Sequence, residues 1–249
     1  MALTTVLSVN VRPDRASAYE AHVYELTNQA RAKKEPVEWA THQVTAGRIG
    51  TLHFVSQVPD WTAFAAREPI EVLVRRVMGD SEGLQLLDHL AECVLSERFV
   101  VGRERPDLSC PVPPDAPRRA NTMVTLMRTR PGGEDACEEH IRKVAQAVQL
   151  VGDPRRYMAY ETFIGQTRTY WIVTPLEDVA QLDRMLSPQE LLAKAFGAEG
   201  VLIHRTGLEA VEYMERELTV LRPELSNATW LGNVVGLREE QPAARHAKH

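Results

Sequence analysis

Aromatic residues are scarce, 6% of 249 positions, and cysteine occurs only three times. Cys93, Cys110 and Cys137 are odd in number and widely spaced, which leaves no disulfide framework or zinc knuckle and fits reduced thiols. Charge of one sign is nowhere massed. The 29 Lys and Arg mix with 34 Asp and Glu for a net charge of -5, so nucleic acid is not an expected partner. No apolar run approaches the roughly 20 residues that cross a bilayer. The opening MALTTVLSVNVRPD has neither the charged start nor the cleavage site of a signal peptide. A cytoplasmic protein with no membrane partner is expected. No GxGxxG, Walker loop, GxSxG or HExxH occurs, so dinucleotide, nucleotide-hydrolysing, serine-hydrolase and zincin chemistries lack their usual signatures. Cys137 to His140 is a lone C-x-x-H, too little for zinc.

What is present reads as a globular chain, 44% hydrophobic and 25% charged, large enough for two ordinary cores. Slid against itself, the sequence matches at one offset of 118 positions. Arg12-Pro13 meets Arg130-Pro131, His22 meets His140, Pro36 meets Pro154, Gly47 meets Gly165, Asp60 meets Asp178, Gly79 meets Gly197, and Glu97-Arg98 meets Glu215-Arg216. After one deletion, Arg105-Pro106 meets Arg222-Pro223. A constant offset over about a hundred residues is the mark of duplication. The expected division is a first copy at 1–105, a proline-rich, extended linker at 106–120, a second copy at 121–226, and a C-terminal extension and tail at 227–249. Within that extension, 230–237 is apolar enough to dock back, and the tail from about Arg238 reads as disordered.

Each copy opens on a β-branched strand, at 4–11 and 122–129, that Arg-Pro ends. A helix follows, with Tyr19, Val23, Leu26 and Ala30 on one face and Cys137, Ile141, Val144 and Val148 on its counterpart. Next comes a hairpin, at 37–57 and 155–174, then helices N-capped by Asp60 or Asp178 and stopped by Gly79 or Gly197. A last strand lies near 93–101 or 211–221. The order β-α-β-β-α-β is the ferredoxin-like plan, α+β, with helices on one face of an antiparallel sheet. Strand residues are apolar on both parities, Leu52 and Phe54 against His53 and Val55, so both faces should be buried. The two repeats are therefore expected to pack sheet to sheet within one chain.

The first hairpin carries the leading candidate site. A two-residue turn at Gly47-Arg48 sets His42 opposite His53, placing two imidazoles side by side on one sheet face. Imidazole takes or gives a proton near neutral pH, so the pair suits a catalytic role; the alternative is a half-buried strand pair with no chemistry. The second copy has Tyr160 and Trp171 at these positions, as a fused pair that keeps one site would. Trp61, where the third strand hands over to a helix, Trp39, Tyr160 and Trp171 are candidates to bind a flat substrate, with Tyr24, Tyr157 and Tyr170 nearby in sequence. Asn10, inside the first strand, would need a partner such as a substrate oxygen if it points inward, as would Arg128. His22 and His140 suggest a shared structural role, bonding a carbonyl or carboxylate, with haem ligation the alternative. Arg48 and Arg168 read as solvated turn residues, and Glu97-Arg98 and Glu215-Arg216 as structural ion pairs.

This layout, with a tryptophan after the third strand and a partner sheet, resembles the dimeric α/β-barrel superfamily, and within it a tandem form of the antibiotic-biosynthesis-monooxygenase type. The resemblance spans 4–226 as a pattern of elements, without a diagnostic motif. That family includes small oxygenases that oxidise aromatic polyketides without metal or haem. Tandem versions are similar to the oxygenases that open an angucycline ring in jadomycin, gilvocarcin and kinamycin biosynthesis. The resemblance implies an oxygenase acting on an aromatic polyketide with O2 and reduced flavin (FADH2 or FMNH2), bound or delivered by a partner flavin reductase. It implies no metal, and a homodimer of the tandem chain as a further assembly. Polyketide cyclases and haem-binding chlorite dismutases share the fold, so a haem- or hydrophobic-ligand-binding barrel and a cofactor-free cyclase are the alternatives.

Overall fold

Alternating apolar residues form strand β1 (Leu3–Val11), and the Arg12-Pro13 step ends it. Helix α1 (Ala16–Ala32) buries Tyr19, Val23, Leu26 and Ala30, the stripe set by their spacing. The chain continues through β2 (Ala40–Ala46), β3 (Thr51–Val58), α2 (Trp61–Ala65), α3 (Ile70–Met78), α4 (Asp80–Cys93) and β4 (Val94–Glu104). A two-residue strand, β5 (Arg118–Arg119), precedes β6 (Asn121–Thr129), α5 (Glu134–Val151), β7 (Met158–Ile164) and β8 (Thr169–Leu176). A 3-10 segment, Val179–Arg184, stands where the first half has α2; then follow α6 (Pro188–Phe196), α7 (Ala198–Glu209), β9 (Val211–Leu221) and β10 (Val234–Val235). The computed structural model describes residues 2–110, 112–113 and 116–235. The expected disordered tail lies outside the described residues.

Local signals act as their chemistry dictates. Asp60 accepts the Ala63 amide at 2.8 Å and Asp178 the Gln181 amide at 2.9 Å, satisfying donors at the start of each helical turn. Gly79, at φ 93°, ends α3 where a side chain would be strained.

Eight antiparallel strands close into one barrel in the order β1-β3-β2-β9-β6-β8-β7-β4. The halves meet not by two stacked sheets alone but along two hydrogen-bonded seams, β2 with β9 and β4 with β7, which leaves the barrel no free edge. Residues alternate across the barrel wall. In β1, Leu3, Val9 and Val11 face the helices, while Thr4, Val6 and Ser8 face the interior. The packed cores lie between barrel and helices, around Cys137, Ile141, Val148, Leu191 and Leu192 in one half and around Leu26, Leu73, Val74 and Val77 in the other. Each such side chain contributes about 1.5–3 kcal/mol by leaving water.

Three expectations need correction. The linker is not wholly irregular: Pro106–Leu108 forms a 3-10 turn, Cys110 bridges to Tyr157, and β5 pairs in parallel with β10. The register also moves the sequence match. Val6 pairs with Val100, whereas Val124, 118 positions after Val6, pairs with Glu217, so the last strands correspond at 117 (217 minus 100). Arg98 thus corresponds to Glu215, and the Glu97-Arg98 match to Glu215-Arg216 fails. The deletion falls just after Gly79 and Gly197, because Gly83 and Gly200, 117 apart, are the positions pressed against the preceding helix. Lastly, among the described residues His22 and His140 take neither a carbonyl nor a carboxylate as partner. His22 stacks on His89 at 5.2 Å, and His140 Nε2 lies 3.1 Å from His204 Nδ1.

The α6–α7 contact yields a sign test. Gly-to-Ala in a helix interior ordinarily stabilises by up to about 1 kcal/mol, but a Cβ on Gly200 would lie 2.0 Å from the Leu192 carbonyl oxygen. Gly200→Ala is expected to destabilise by about 1–3 kcal/mol in urea unfolding. Leu150→Ala, at an exposed site, should stay within about 0.5 kcal/mol of the parent.

Candidate active site

The β2–β3 hairpin turns through Gly47 and Gly50, at φ 111° and 88°. Gly47 is required twice over: a Cβ there would also lie 2.9 Å from Glu217 Cγ and 3.2 Å from the Arg216 carbonyl oxygen. This close approach of the turn to β9 sets Arg48 beside Glu217 across the seam.

Behind the turn the ladder places His42 opposite His53. His53 is in turn opposite Ser8 on β1, and Ser8 opposite Arg98 on β4. His42, His53, Ser8 and Arg98 therefore form one row across four adjacent strands, all facing inward. The corresponding row of the other half, read through its own register, is Tyr160, Trp171, Leu126 and Glu215. In the strand order β8 stands opposite β3 and β7 opposite β2, so a polar wall confronts a largely aromatic one. Between them is a cavity of about 760 Å³, whose remaining walls include Val6, Val55, Val100 and Val124.

A hydrogen-bonded chain runs along the polar wall. Ser8 Oγ lies 2.8 Å from His53 Nδ1, His53 Nε2 lies 3.0 Å from Glu217 Oε2, and Arg48 Nε donates to Glu217 Oε1 at 2.9 Å. Arg48 also reaches Glu215 at 3.3 Å. Burial would raise the Glu217 carboxyl, but its bonds to His53 and its contact with Arg48 outweigh that and hold it below the usual range. An ionised carboxylate only accepts, so His53 Nε2 carries a proton toward Glu217. In the neutral ring Nδ1 is then a lone pair that receives the Ser8 hydroxyl. His42 has no hydrogen-bond partner among the described residues. Burial first, and the neighbouring His53 second, push it down to about 4, so it is a neutral base at pH 7. Two imidazoles, one oriented and one free, thus face a flat apolar space.

The residues expected at the site divide accordingly. His42, His53, Trp39, Tyr160 and Trp171 line the cavity. Trp39 Nε1 donates to the Leu225 carbonyl at 2.9 Å, which fixes its ring. Trp61 does not line it. The Asp60 cap turns the chain outward after β3, and Trp61 packs against Phe64 and Phe163 on the outer surface. Asn10 has the inward parity of Ser8 but lies past the cavity floor, at the end of β1 opposite Thr51. Tyr24 is exposed, while Tyr157 and Tyr170 belong to the helix-side core, donating to the Ile141 carbonyl and to Glu138. Arg48 is an exposed turn residue as expected, and it is also paired with Glu217 and Glu215; Arg128 is paired with Glu212 at 3.2 Å. Sequence reading missed Ser8, Arg98 and Glu217. Glu217 is one of three acids in β9, with Glu212 and Glu215, so nothing in the strand's composition singled it out.

One end of the cavity is roofed by segments outside the barrel strands. Pro113 and Pro117 of the linker, and Ala228 and Trp230 beyond β9, line it there, and the Arg118 guanidinium sits 4.1 Å over the Trp230 ring.

No protein-family model matches the chain, and no curated protein does. Solved structures match its fold. An anthrone oxidase-like protein superposes with a TM-score of 0.56 at 14% identity, covering 92% of this chain and 95% of its own. A proposed monooxygenase from Lactobacillus acidophilus NCFM gives 0.51 at 6% identity, over 88% and 93%. Chlorite dismutase from Candidatus Nitrospira defluvii, in complex with imidazole, gives 0.53 at 9%, over 90% and 92%. The barrel is the dimeric α/β-barrel fold. The expectation of reduced flavin is overturned: chlorite dismutase neighbours bind haem, and flavin finds no support. This chain's helix-side imidazoles do not fit haem either. His140 is 5% exposed and closed in by His204 and Gly207, and neither it nor His22 borders the cavity.

Proposed function

We propose that this barrel is an oxygenase acting on an aromatic polyketide, with the His42–His53 side of the cavity as base and the Trp171–Tyr160 side as platform. The observation that carries this reading is the oriented His53, held between Ser8 and Glu217 and facing an aromatic wall. A base in this cavity takes a proton from an acidic position of the substrate, such as a phenol or the methylene of an anthrone, and leaves an electron-rich anion. That anion reduces dioxygen. When a methylene is oxidised, one molecule of dioxygen is consumed per carbonyl formed and its second oxygen atom leaves as water. The substrate supplies all the electrons, and no external reductant is consumed. The anthrone oxidase-like neighbour, alike in fold, is described by the same class of chemistry. We also read the halves as two fused copies, at 1–105 and 121–226, of which the first keeps the imidazoles.

Oxygen uptake with an anthrone should fall about 100-fold or more in His53→Ala while the circular dichroism spectrum is retained. Undiminished uptake in both His53→Ala and His42→Ala would sink the assignment, and turnover to a product of unchanged oxidation state would make the protein a cyclase. Glu217→Gln, which removes the charge that orients His53, should lower the rate about tenfold or more and leave KM little changed. Stability should also respond to pH through His42. Its folded value of about 4 lies below its ordinary 6.5, so the unfolded chain binds the proton first as the pH falls. Its contribution is intact above 6.5 and is lost between 6.5 and 4. His42→Gln should therefore flatten the fall in Tm between pH 7 and 5, and an unchanged slope would refute the buried neutral imidazole.

A further inference from the structure

Arg98 is the member of the polar row without a counter-charge. Its Nη2 donates to the neutral Gln166 Oε1 at 2.8 Å, and no carboxylate oxygen of the described residues lies within 4.0 Å of it. Its neighbours at this end of the barrel are matched. Arg48 takes both Glu217 and Glu215, and Arg128 takes Glu212. Glu215 is further engaged by the Tyr213 hydroxyl at 2.8 Å, and Glu217 by His53, so the nearby acids are committed to other donors. A half-buried guanidinium left in this way borders the cavity and stands directly across the ladder from Ser8. Burial first, then the charges of Arg48 and Arg128, depress its proton affinity against the opposing pull of Tyr213 and Glu215.

We infer that Arg98 is an anion seat, and that the ligand of this cavity is a planar aromatic acid. A carboxylate or ionised phenolic oxygen is held at Arg98, and the rings lie against Trp171 and Tyr160. The guanidinium fork donates to two oxygens at once and stabilises the oxyanion left when a substrate proton passes to His53 through the Ser8 hydroxyl. The inference deepens the oxygenase reading by naming its substrate class, and it rests on that reading for the identity of the reaction.

The test is a calorimetric titration of the intact chain at pH 7 with 2-naphthoate and with 2-naphthamide, which share shape and differ in charge. The naphthoate should bind about tenfold or more tightly than the amide. Arg98→Gln should erase that preference while leaving amide affinity unchanged, and Arg98→Lys should retain part of it. Equal affinity for the two ligands, no measurable binding of naphthoate, or an Arg98→Gln variant that still prefers naphthoate would each overturn the anion seat. Oxygen uptake, followed separately, keeps the two readings apart. Arg98-dependent naphthoate binding without oxygen uptake defeats the oxygenase alone, whereas oxygen uptake without charge preference defeats the anion seat alone.

Discussion

The candidate site depends on one buried acid. Glu217 belongs to β9, yet the groups that satisfy it, His53 Nε2 and Arg48 Nε, arrive from the first half of the chain through the β2–β3 hairpin. Only a barrel closed along the β2–β9 seam brings them together, and only a glycine at position 47 lets the turn pass so near the Glu217 stem. An unpaired carboxylate at this depth would be costly. Here two donors convert that cost into orientation, fixing which imidazole nitrogen faces the cavity.

From this follows the division of labour across the interior. Strand alternation alone decides what points inward, and the two halves share the same alternation. They differ in what they place there: His42, His53, Ser8 and Arg98 on one side, Tyr160, Trp171, Leu126 and Glu215 on the other. A homodimer of identical halves would have to carry the same row twice. A single chain can give one wall proton chemistry and the other a flat apolar surface, and the cavity here is built on that difference.

Much of the fold was legible because it is governed by local rules. Arg12-Pro13, Asp60, Gly79 and the stripe from Tyr19 to Ala30 act where they stand. The facing of His42 and His53 was legible too, since a short turn and a period of two determine it. What escaped depends on long-range register. Glu217 reaches His53 only through a ladder between strands far apart in the sequence, and by strand register the position matching Glu217 is Val100, not the Phe99 that an offset of 118 gives. Trp61 was misread for a similar reason. Its place after the third strand suggested a pocket rim, but the Asp60 cap turns the chain toward the outer layer, where Phe64 and Phe163 receive the ring.

The closed order of strands also bears on how the protein is made. The seam pairs β2 with β9, which follows it by about 165 residues of chain (211 minus 46). Until β9 emerges, β2 presents an unpaired edge, and ring closure across so much intervening chain is slow. The cavity is therefore enclosed only once β9 has joined the barrel. A chain truncated before β9 would keep both histidines and have no enclosed chamber to hold them.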